Sequence, residues 1–359
     1  MHSRLRFWKY PIFIALLLLM TVAFTFIYAS YDTAIAPFDS SRLPDPNPSE
    51  VVEPPDIPNE PEDEPEDEPG DEPEDEPEDE PEDEPEEVPE ITFVTIQVDA
   101  EDIYSGYLIL VNKDHRYEIP DDLGLVIITE AKTVPYRVLG SHYYLRNSII
   151  EPLDEMIADF IAEYGYNTVA VISGFRSYEA QQKVLDDYIR RVGQKEALRW
   201  AALPGHSEHH TGLAIDFGVY SGGTQSTFTG TGITAWFKRN SYKYGFIHRF
   251  PQNKTRITGT EHEPWHFRYV GLPHSYFMLE NDWCFEEYIE LLRSCTFEEP
   301  FEAEYGGVKY SIYSTTDTEV KLPLGSLFEI SGNNVDGFIV TTYRPDEHEA
   351  LIIDATEGG

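Results

Sequence analysis

The sequence predicts an α+β fold, in which helices surround a small, mainly antiparallel sheet and a β-rich extension follows. Between residues 91 and 295, helical and strand patterns are mixed without regular βαβ alternation. Within that region, TGLAIDFG alternates large apolar residues with small or polar ones, which is typical of a half-buried strand. After residue 295, the segments VKYSIYSTT, SLFEISG and GFIVTTY are rich in β-branched and aromatic residues.

The N-terminus predicts a membrane anchor. Residues 1–10 are basic, and the following segment, 11–30, is uncharged over about the 20 apolar residues that span a bilayer. The positive-inside rule places residues 1–10 in the cytoplasm and the rest of the chain outside the cell. A cleaved signal peptide is the alternative, since Ala34 and Ala36 form an A-x-A site, but the apolar run is long for a signal sequence.

Residues 31–90 are predicted to be a disordered acidic linker. A PEDE repeat fills the part from Glu60 to Glu90, where no core can form and repelling carboxylates favour extended chain. Such a spacer reaches on the order of 100 Å, far enough to carry a domain into a cell wall. The formal charge of −40 falls to −19 without the 21 acidic residues of this tract, which disfavours nucleic acid as a partner.

A single folded domain is predicted for residues 91–295. Ser177 is placed to cap the start of one helix and Gly193 to end it, while Gly245 ends another. The predicted strands are GYLILVNK, LGLVIITE, NTVAVISG and TGLAIDFG. The predicted helices are IIEPLDEMIADFIAEYG, SYEAQQKVLDDYIRRVG, QKEALRWAAL and GITAWFKRNSYKYG.

The two cysteines, Cys284 and Cys295, bound a further helical segment, CFEEYIELLRSC. A continuous helix would hold their Cα atoms about 16 Å apart, whereas a disulfide needs less than ~7 Å. Two unpaired cysteines, or a helix that breaks before Cys295, both agree with this spacing. Residues 296–359 follow as a β-rich accessory unit, with GNNVDG as a turn.

Histidine and acidic residues are concentrated in two segments, PGHSEHHTGLAIDFG and EHEPWHFRYVG. His209 precedes the predicted strand and Asp216 lies within it, beside small residues that leave room for an ion. Zinc accepts imidazole nitrogen and carboxylate oxygen, and catalytic zinc keeps three protein ligands and one position for water. His266 supplies a third ligand, and Glu263 a carboxylate that takes the water's proton without binding the metal.

Three further histidines near these segments have a simpler interpretation. A single histidine near the end of a strand is usually a hydrogen-bonded structural group. His206, His210 and His262 are therefore interpreted as structural residues.

Together, SGFRSYEAQQ, PGHSEHHTGLAIDFG and EPWHFRYVG resemble the VanY-type zinc D-alanyl-D-alanine carboxypeptidases over about residues 104–275. Phe175 and His210 depart from the family, which commonly has Tyr and Gln there, and this places specificity in question more than activity. The resemblance implies Zn²⁺ held by His209, Asp216 and His266, Glu263 as base, Arg176 near the scissile carbonyl, and Gln181 and Ser207 as substrate-binding residues.

The expected function is that of a membrane-anchored extracellular zinc D,D-carboxypeptidase, which removes the C-terminal D-Ala from peptidoglycan stem peptides. An L,D-carboxypeptidase or a wall endopeptidase could use the same type of site. A catalytically silent wall-binding domain is disfavoured because the set of ligands, base and arginine is complete. A structural zinc domain is disfavoured because such sites are usually closed by four protein ligands.

Overall fold

A computed structural model describes residues 92–165 and 168–344. The predicted cytoplasmic segment 1–10, anchor 11–30 and linker 31–90 lie outside these residues, as do residues 345–359 of the accessory unit. Within the described part of the chain, every helix is too short or too polar to span a bilayer.

Strands and helices are mixed in the order that an α+β fold predicts. The strands are β1 Phe93–Gln97, β2 Leu125–Ile127, β3 Arg137–Val138, β4 Tyr144–Arg146, β5 Val169–Ser173, β6 Ala214–Ser221, β7 Thr224–Thr227, β8 Phe246–His248, β9 His266–Tyr269, β10 Phe301–Tyr305, β11 Val308–Thr315, β12 Glu319–Pro323, β13 Leu327–Gly332 and β14 Phe338–Tyr343. The α-helices are α1 Ile128–Ala131, α2 Ile150–Tyr164, α3 Tyr178–Val192, α4 Gln194–Trp200, α5 Ala235–Asn240, α6 Thr255–Thr258, α7 His274–Glu280 and α8 Phe285–Ser294.

The central sheet has the strand order β3-β5-β6-β9-β8, with β7 paired to β6. Only the pairing of β3 with β5 is parallel among these strands, so the predicted mainly antiparallel sheet is confirmed. Strand β6, which contains the TGLAIDFG alternation, is central and pairs with β5, β7 and β9. The register of β6 and β9 places Asp216 directly opposite His266.

Two long helices form where the sequence predicts them. In α2, Leu153, Ile157 and Phe160 are buried in the main core, and Gly165 adopts a left-handed φ of 73° after its last residue. In α3, the Ser177 hydroxyl accepts a hydrogen bond from the amide of Ala180 at 3.2 Å, so the predicted N-cap is confirmed. Helix α3 ends at Gly193, as predicted.

The predicted strand GYLILVNK does not form. Its backbone groups do not pair with a neighbouring strand. They form hydrogen bonds with individual residues from the C-terminal part of the chain. The amide of Leu108 donates to the Ser331 hydroxyl at 2.9 Å, and the amide of Leu110 donates to the Asn333 carbonyl at 3.0 Å. The apolar pattern therefore correctly indicated burial, but tertiary contacts override a sheet ladder here.

Two other predicted elements are shorter than expected. LGLVIITE forms the short strand β2 and then turns into α1. GITAWFKRNSYKYG was predicted as one helix, but α5 has a 3₁₀ helix on each side of it. Gly245 ends this segment in a left-handed conformation with a φ of 79°, as the sequence predicted.

A second sheet, of strand order β10-β11-β14-β13, confirms the β-rich C-terminal extension. Strand β12 lies apart from it and pairs with β1, from the start of the described chain. Helix α8 packs on the second sheet through Tyr288 and Ile289 beside Ile312 and Ile339. Cys284 and Cys295 flank α8 and are unpaired, which is one of the two alternatives that the spacing left open.

His274, at the start of α7, is a buried histidine that contacts α8 and β14. Its Nδ1 lies 2.8 Å from the Tyr288 hydroxyl, and its Nε2 lies 3.2 Å from the Thr341 hydroxyl. Burial lowers the pKa of His274 to about 3. The unfolded chain therefore binds a proton at this residue between about pH 6.5 and 3, where the folded chain does not, and stability falls as the pH falls through that range.

We expect zinc-free protein to lose about 2 to 3 kcal/mol of unfolding free energy through His274 between pH 7 and pH 4.5. Urea unfolding at both pH values would measure this loss, with His274→Asn as the control because Asn keeps a polar group near Tyr288 and does not titrate. The variant should show a correspondingly smaller loss. An equal loss in both proteins would show that His274 is not responsible.

Candidate active site

Three side chains from three separate elements form one cluster. His209 lies in a 3₁₀ helix, Glu208–Thr211, that leads into β6, while Asp216 lies in β6 and His266 begins β9. One ligand atom from each residue lies within 4.8 Å of the others. The structure thus brings together the three residues predicted to bind zinc.

The Asp216 carboxylate lies between the two imidazoles. Its Oδ2 is 3.1 Å from Nε2 of His209, and its Oδ1 is 2.9 Å from Nδ1 of His266. Burial would raise the pKa of Asp216, but the two histidines outweigh that effect and hold the pKa well below its usual range. The carboxylate is therefore ionised, as a metal ligand must be.

His209 is prepared for metal binding by its second ring nitrogen. Its Nδ1 lies 2.6 Å from the Gly174 carbonyl, so Nδ1 carries the proton and Nε2 has a free lone pair. Within the described residues, the buried Nε2 makes no hydrogen bond. Burial lowers the pKa of His209 to about 4, so the ring is neutral. A buried nitrogen without a hydrogen bond, facing a carboxylate and a second histidine, fits Zn²⁺.

His266 is held from its other side by Glu208. Its Nε2 lies 3.1 Å from Oε2 of Glu208, which leaves Nδ1 facing Asp216 and His209. Burial alone would lower the pKa of His266, but the hydrogen bonds to Asp216 and Glu208 raise it to about 9. Because Nε2 is bonded to Glu208, Nδ1 is the nitrogen that this residue can offer to a metal.

Glu263 lies beside the cluster without belonging to it. Its Oε2 is 3.9 Å from Nδ1 of His266, and the residue is only 8% exposed. Burial, together with the nearby Asp216, raises the pKa of Glu263 to about 8, although His266 and Arg176 act in the opposite direction. A carboxylate with a raised pKa next to a three-ligand site is suited to accept a proton from water and to return it.

Arg176 follows β5 and points toward the same cluster. Its Nη2 lies 3.7 Å from Oδ2 of Asp216, and its backbone amide donates to the His209 carbonyl at 3.1 Å. Its buried Nε has no hydrogen-bond partner among the described residues. Burial lowers the pKa of Arg176 below its ordinary value, though Asp216 and Glu263 oppose this. The unpaired Nε–H group therefore leaves the guanidinium a donor for a ligand that binds at the cluster.

The two predicted substrate-binding residues, Gln181 and Ser207, are both buried. Nε2 of Gln181 donates to the Ala202 carbonyl at 2.8 Å, while its buried Oε1 has no partner within the described chain. Ser207 immediately precedes the 3₁₀ helix of His209 and is also buried. Their contact with substrate stays a prediction.

The other histidines have structural hydrogen bonds, in agreement with the interpretation from sequence. Nδ1 of His206 lies 2.8 Å from the Asn112 carbonyl, and Nδ1 of His262 lies 2.9 Å from the Phe250 carbonyl. His210 accepts a hydrogen bond from the Gly205 amide at 2.9 Å. These three side chains lie outside the ligand cluster.

Sequence reasoning missed the buried charges behind His266. Arg268 lies two residues after His266 in β9, so both side chains are on the same face of the strand. Arg268 and Arg249 both bind Oε1 of Glu208, at 3.0 and 2.7 Å. The period of two in β9 could have identified Arg268, but nothing local in the sequence indicates Arg249.

Comparisons with known proteins identify the family of this chain. The family model VanY, described as D-alanyl-D-alanine carboxypeptidase, matches residues 142–272. A D-alanyl-D-alanine carboxypeptidase of Enterococcus faecium is 33% identical over 257 residues, which cover 70% of this chain and 80% of the relative. The chain belongs to the VanY family of D-alanyl-D-alanine carboxypeptidases.

Two further similarities are to a dipeptidase of known structure and to a bifunctional dipeptidase and carboxypeptidase. The crystal structure of the vancomycin resistance D,D-dipeptidase VanXYg, in complex with a D-Ala-D-Ala phosphinate analog, has a TM-score of 0.62 at 33% identity, covering 70% of this chain and 100% of that one. The bifunctional D-Ala-D-Ala dipeptidase and D-Ala-D-Ala carboxypeptidase VanXYC of Enterococcus gallinarum is 37% identical over 128 residues, 34% of this chain and 67% of that protein.

Family membership and the ligand cluster together make this VanY-family chain a zinc-dependent carboxypeptidase. All the residues that the resemblance assigned to metal binding, His209, Asp216 and His266, are placed where one ion can reach them. The cluster offers three protein ligands, the number typical of catalytic rather than structural zinc.

We expect His209→Ala and Asp216→Ala each to weaken zinc binding by more than about 100-fold, which exceeds the usual effect of a residue that only supports a ligand. Competition with a chromophoric chelator would measure the dissociation constants. His262→Ala is the control, because His262 is bonded to the Phe250 carbonyl, and it should bind zinc as the unmodified protein does. Unchanged affinity in the Asp216 variant would contradict the assignment of this ligand.

Proposed function

We propose that this protein is a membrane-anchored, extracellular D,D-carboxypeptidase that removes the C-terminal D-Ala from peptidoglycan stem peptides. The observation that supports this best is the position of Glu263, a buried carboxylate beside a three-ligand cluster but outside it. Hydrolysis needs a base near water as well as a metal, and this carboxylate provides one. The relative from Enterococcus faecium carries the same activity in its name.

The mechanism assigns a proton transfer to Glu263. Zinc, when bound, supplies a Lewis acid and a water whose pKa is lowered toward ~7. Glu263 accepts the proton of the attacking water and then donates it to the amine of the departing D-alanine. Its raised pKa suits both transfers near neutral pH, since the group then exchanges protons readily in either direction.

Arg176 is proposed to stabilise the oxyanion that develops on the scissile carbonyl. Its guanidinium lies at the edge of the cluster, 3.7 Å from Asp216, and has a buried N–H without a partner among the described residues. A positive group that is fixed in place before the reaction stabilises developing charge without reorganisation. The short loop between β5 and α3 provides that fixed position.

The proposed location rests on sequence. Segment 11–30 has the length and apolar character of a bilayer-spanning helix, with basic residues before it. The acidic linker 31–90 would then hold the catalytic domain in the cell-wall space, where its substrate is found. Protease treatment of intact cells that express the protein would remove the catalytic domain if it is extracellular, and would leave it intact if it is cytoplasmic.

The substrate decides between the alternatives. We expect purified zinc enzyme to remove one alanine from a stem pentapeptide and to leave a tetrapeptide intact, as read by mass spectrometry, with chelator abolishing the reaction. Cleavage of the tetrapeptide would instead identify an L,D-carboxypeptidase, and cleavage of cross-linked peptide an endopeptidase. Cleavage of free D-Ala-D-Ala would indicate the dipeptidase activity named for VanXYg and VanXYC.

We expect Glu263→Gln to lower kcat by at least about 100-fold while zinc stays bound, because Gln cannot accept the proton of water. Glu261→Gln is a matched control, since Glu261 is a nearby acid paired with Arg199 at the surface. Measuring turnover and zinc content together separates loss of the base from loss of the metal. An active Glu263→Gln enzyme would contradict the proposed base.

We expect Arg176→Ala to lower kcat by about 100- to 1,000-fold with zinc still bound, the range observed when an oxyanion-stabilising donor is removed. Only the Arg176 backbone bonds to the His209 carbonyl, so the substitution leaves that contact in place. Arg199→Ala, at an exposed arginine, is the control and should keep normal turnover. A rise in KM with unchanged kcat would show that Arg176 binds the ground state only.

A further inference from the structure

Glu208 is a carboxylate that the proposed mechanism does not use. It is almost completely buried, and Oε1 accepts hydrogen bonds from Arg249 at 2.7 Å and from Arg268 at 3.0 Å. Burial would raise the pKa of Glu208, but the two arginines outweigh that effect and lower it. A buried charge is tolerated in a protein when it is paired and fully hydrogen bonded, as here.

The second oxygen of Glu208 acts on a metal ligand. Oε2 lies 3.1 Å from Nε2 of His266, so this nitrogen donates to the carboxylate and Nδ1 is left for the metal. A carboxylate in this position fixes the tautomer and the orientation of a ligating histidine and makes it a stronger ligand. Arg268 and Arg249 occupy only Oε1, which keeps Oε2 available to His266.

Arg249 joins Glu208 to a second carboxylate. Its Nε binds Glu208, while Nη1 and Nη2 bind Oε2 and Oε1 of Glu286 at 2.8 and 2.6 Å. Glu286 also accepts a hydrogen bond from Nδ2 of the Asn112 side chain at 3.1 Å. The guanidinium has no exposed surface, and its planar fork fixes the positions of both carboxylates.

Glu286 lies outside the part of the chain that matches the VanY family model, which ends at residue 272. It is in the first turn of α8, where an acidic side chain is favourable. The preceding residue, Phe285, places its ring 5.5 Å from the Arg249 guanidinium and 5.1 Å from that of Arg268. Because α8 packs on the second sheet, the accessory unit fixes the position of Glu286.

We propose that Glu286 is a positioning residue for the metal site, which acts on His266 through Arg249 and Glu208. If Glu286 loses its charge, the two Nη groups of Arg249 lose a bidentate carboxylate in a buried position. Glu208 is then the nearest negative charge for Arg249. The arginine turns toward it, and Oε2 of Glu208 moves away from His266. The inference rests on the proposed ligand role of His266 and gives the accessory unit a part in metal binding.

The test compares Glu286→Gln with Glu290→Gln, which changes a 76% exposed acid on the same helix that pairs with Arg293. Zinc dissociation constants of the full chain would be measured with a competing chelator, and Co²⁺-substituted protein would report ligand geometry by its visible absorption. We expect Glu286→Gln to weaken zinc binding about 10-fold and to shift the cobalt bands. Glu290→Gln should change neither.

Unchanged zinc affinity and cobalt bands in Glu286→Gln would overturn the inference, even if the zinc-free variant melts at a lower temperature, because that result indicates a purely structural role. Should Glu286→Gln fail to fold, Arg249→Lys has the same expected and contradicting outcomes, since Lys keeps the buried charge but cannot bind both carboxylates. Failure of the unmodified protein to bind zinc would contradict the ligand assignment itself, which separates the two proposals.

Discussion

The register between β6 and β9 is the constraint on which the site depends. It sets Asp216 directly opposite His266, so two of the three ligands face each other across one strand pair. A shift of one residue would turn one of these side chains to the other face of the sheet. The large apolar residues of β6, Ile215 and Phe217, are fully buried, and their packing therefore fixes the register that forms the site.

The surroundings of each carboxylate determine its role. Asp216 lies between two imidazoles and is held ionised, whereas Glu263 lacks such close partners and its pKa is raised to about 8. Glu208 is equally buried, but two arginines neutralise it. Three acidic residues within one small volume therefore differ in charge state and in what they can do, and the proposed roles of ligand, proton acceptor and support for a ligand follow from the charges that face them.

The sequence allowed prediction of the parts of the site that depend on local pattern. His209 and Asp216 lie within one short segment, and Glu263 and His266 within another, so both pairs could be found from sequence together with the family resemblance. The ion pair between Arg249 and Glu286 could not be predicted, because it joins residues 37 positions apart through tertiary packing alone. The strand predicted for residues 106–113 was wrong for the same reason, since tertiary contacts, which local sequence does not encode, bond its backbone groups.

Residues 106–113, which do not form the predicted strand, bond to both sheets and so join them into one structural unit within the described chain. Residues 106–113 are bonded from both sides: Arg268 of the central sheet donates to the Tyr107 and Ile109 carbonyls at 3.0 and 2.9 Å. From the accessory unit, Nδ2 of the Asn334 side chain donates to the Leu110 carbonyl at 2.7 Å. Arg268 also binds Glu208, which holds His266. The same guanidinium therefore contacts both the residues behind the metal site and residues 106–113, which are bonded to the accessory unit. Removal of that unit would therefore leave buried backbone groups unpaired immediately behind the metal site.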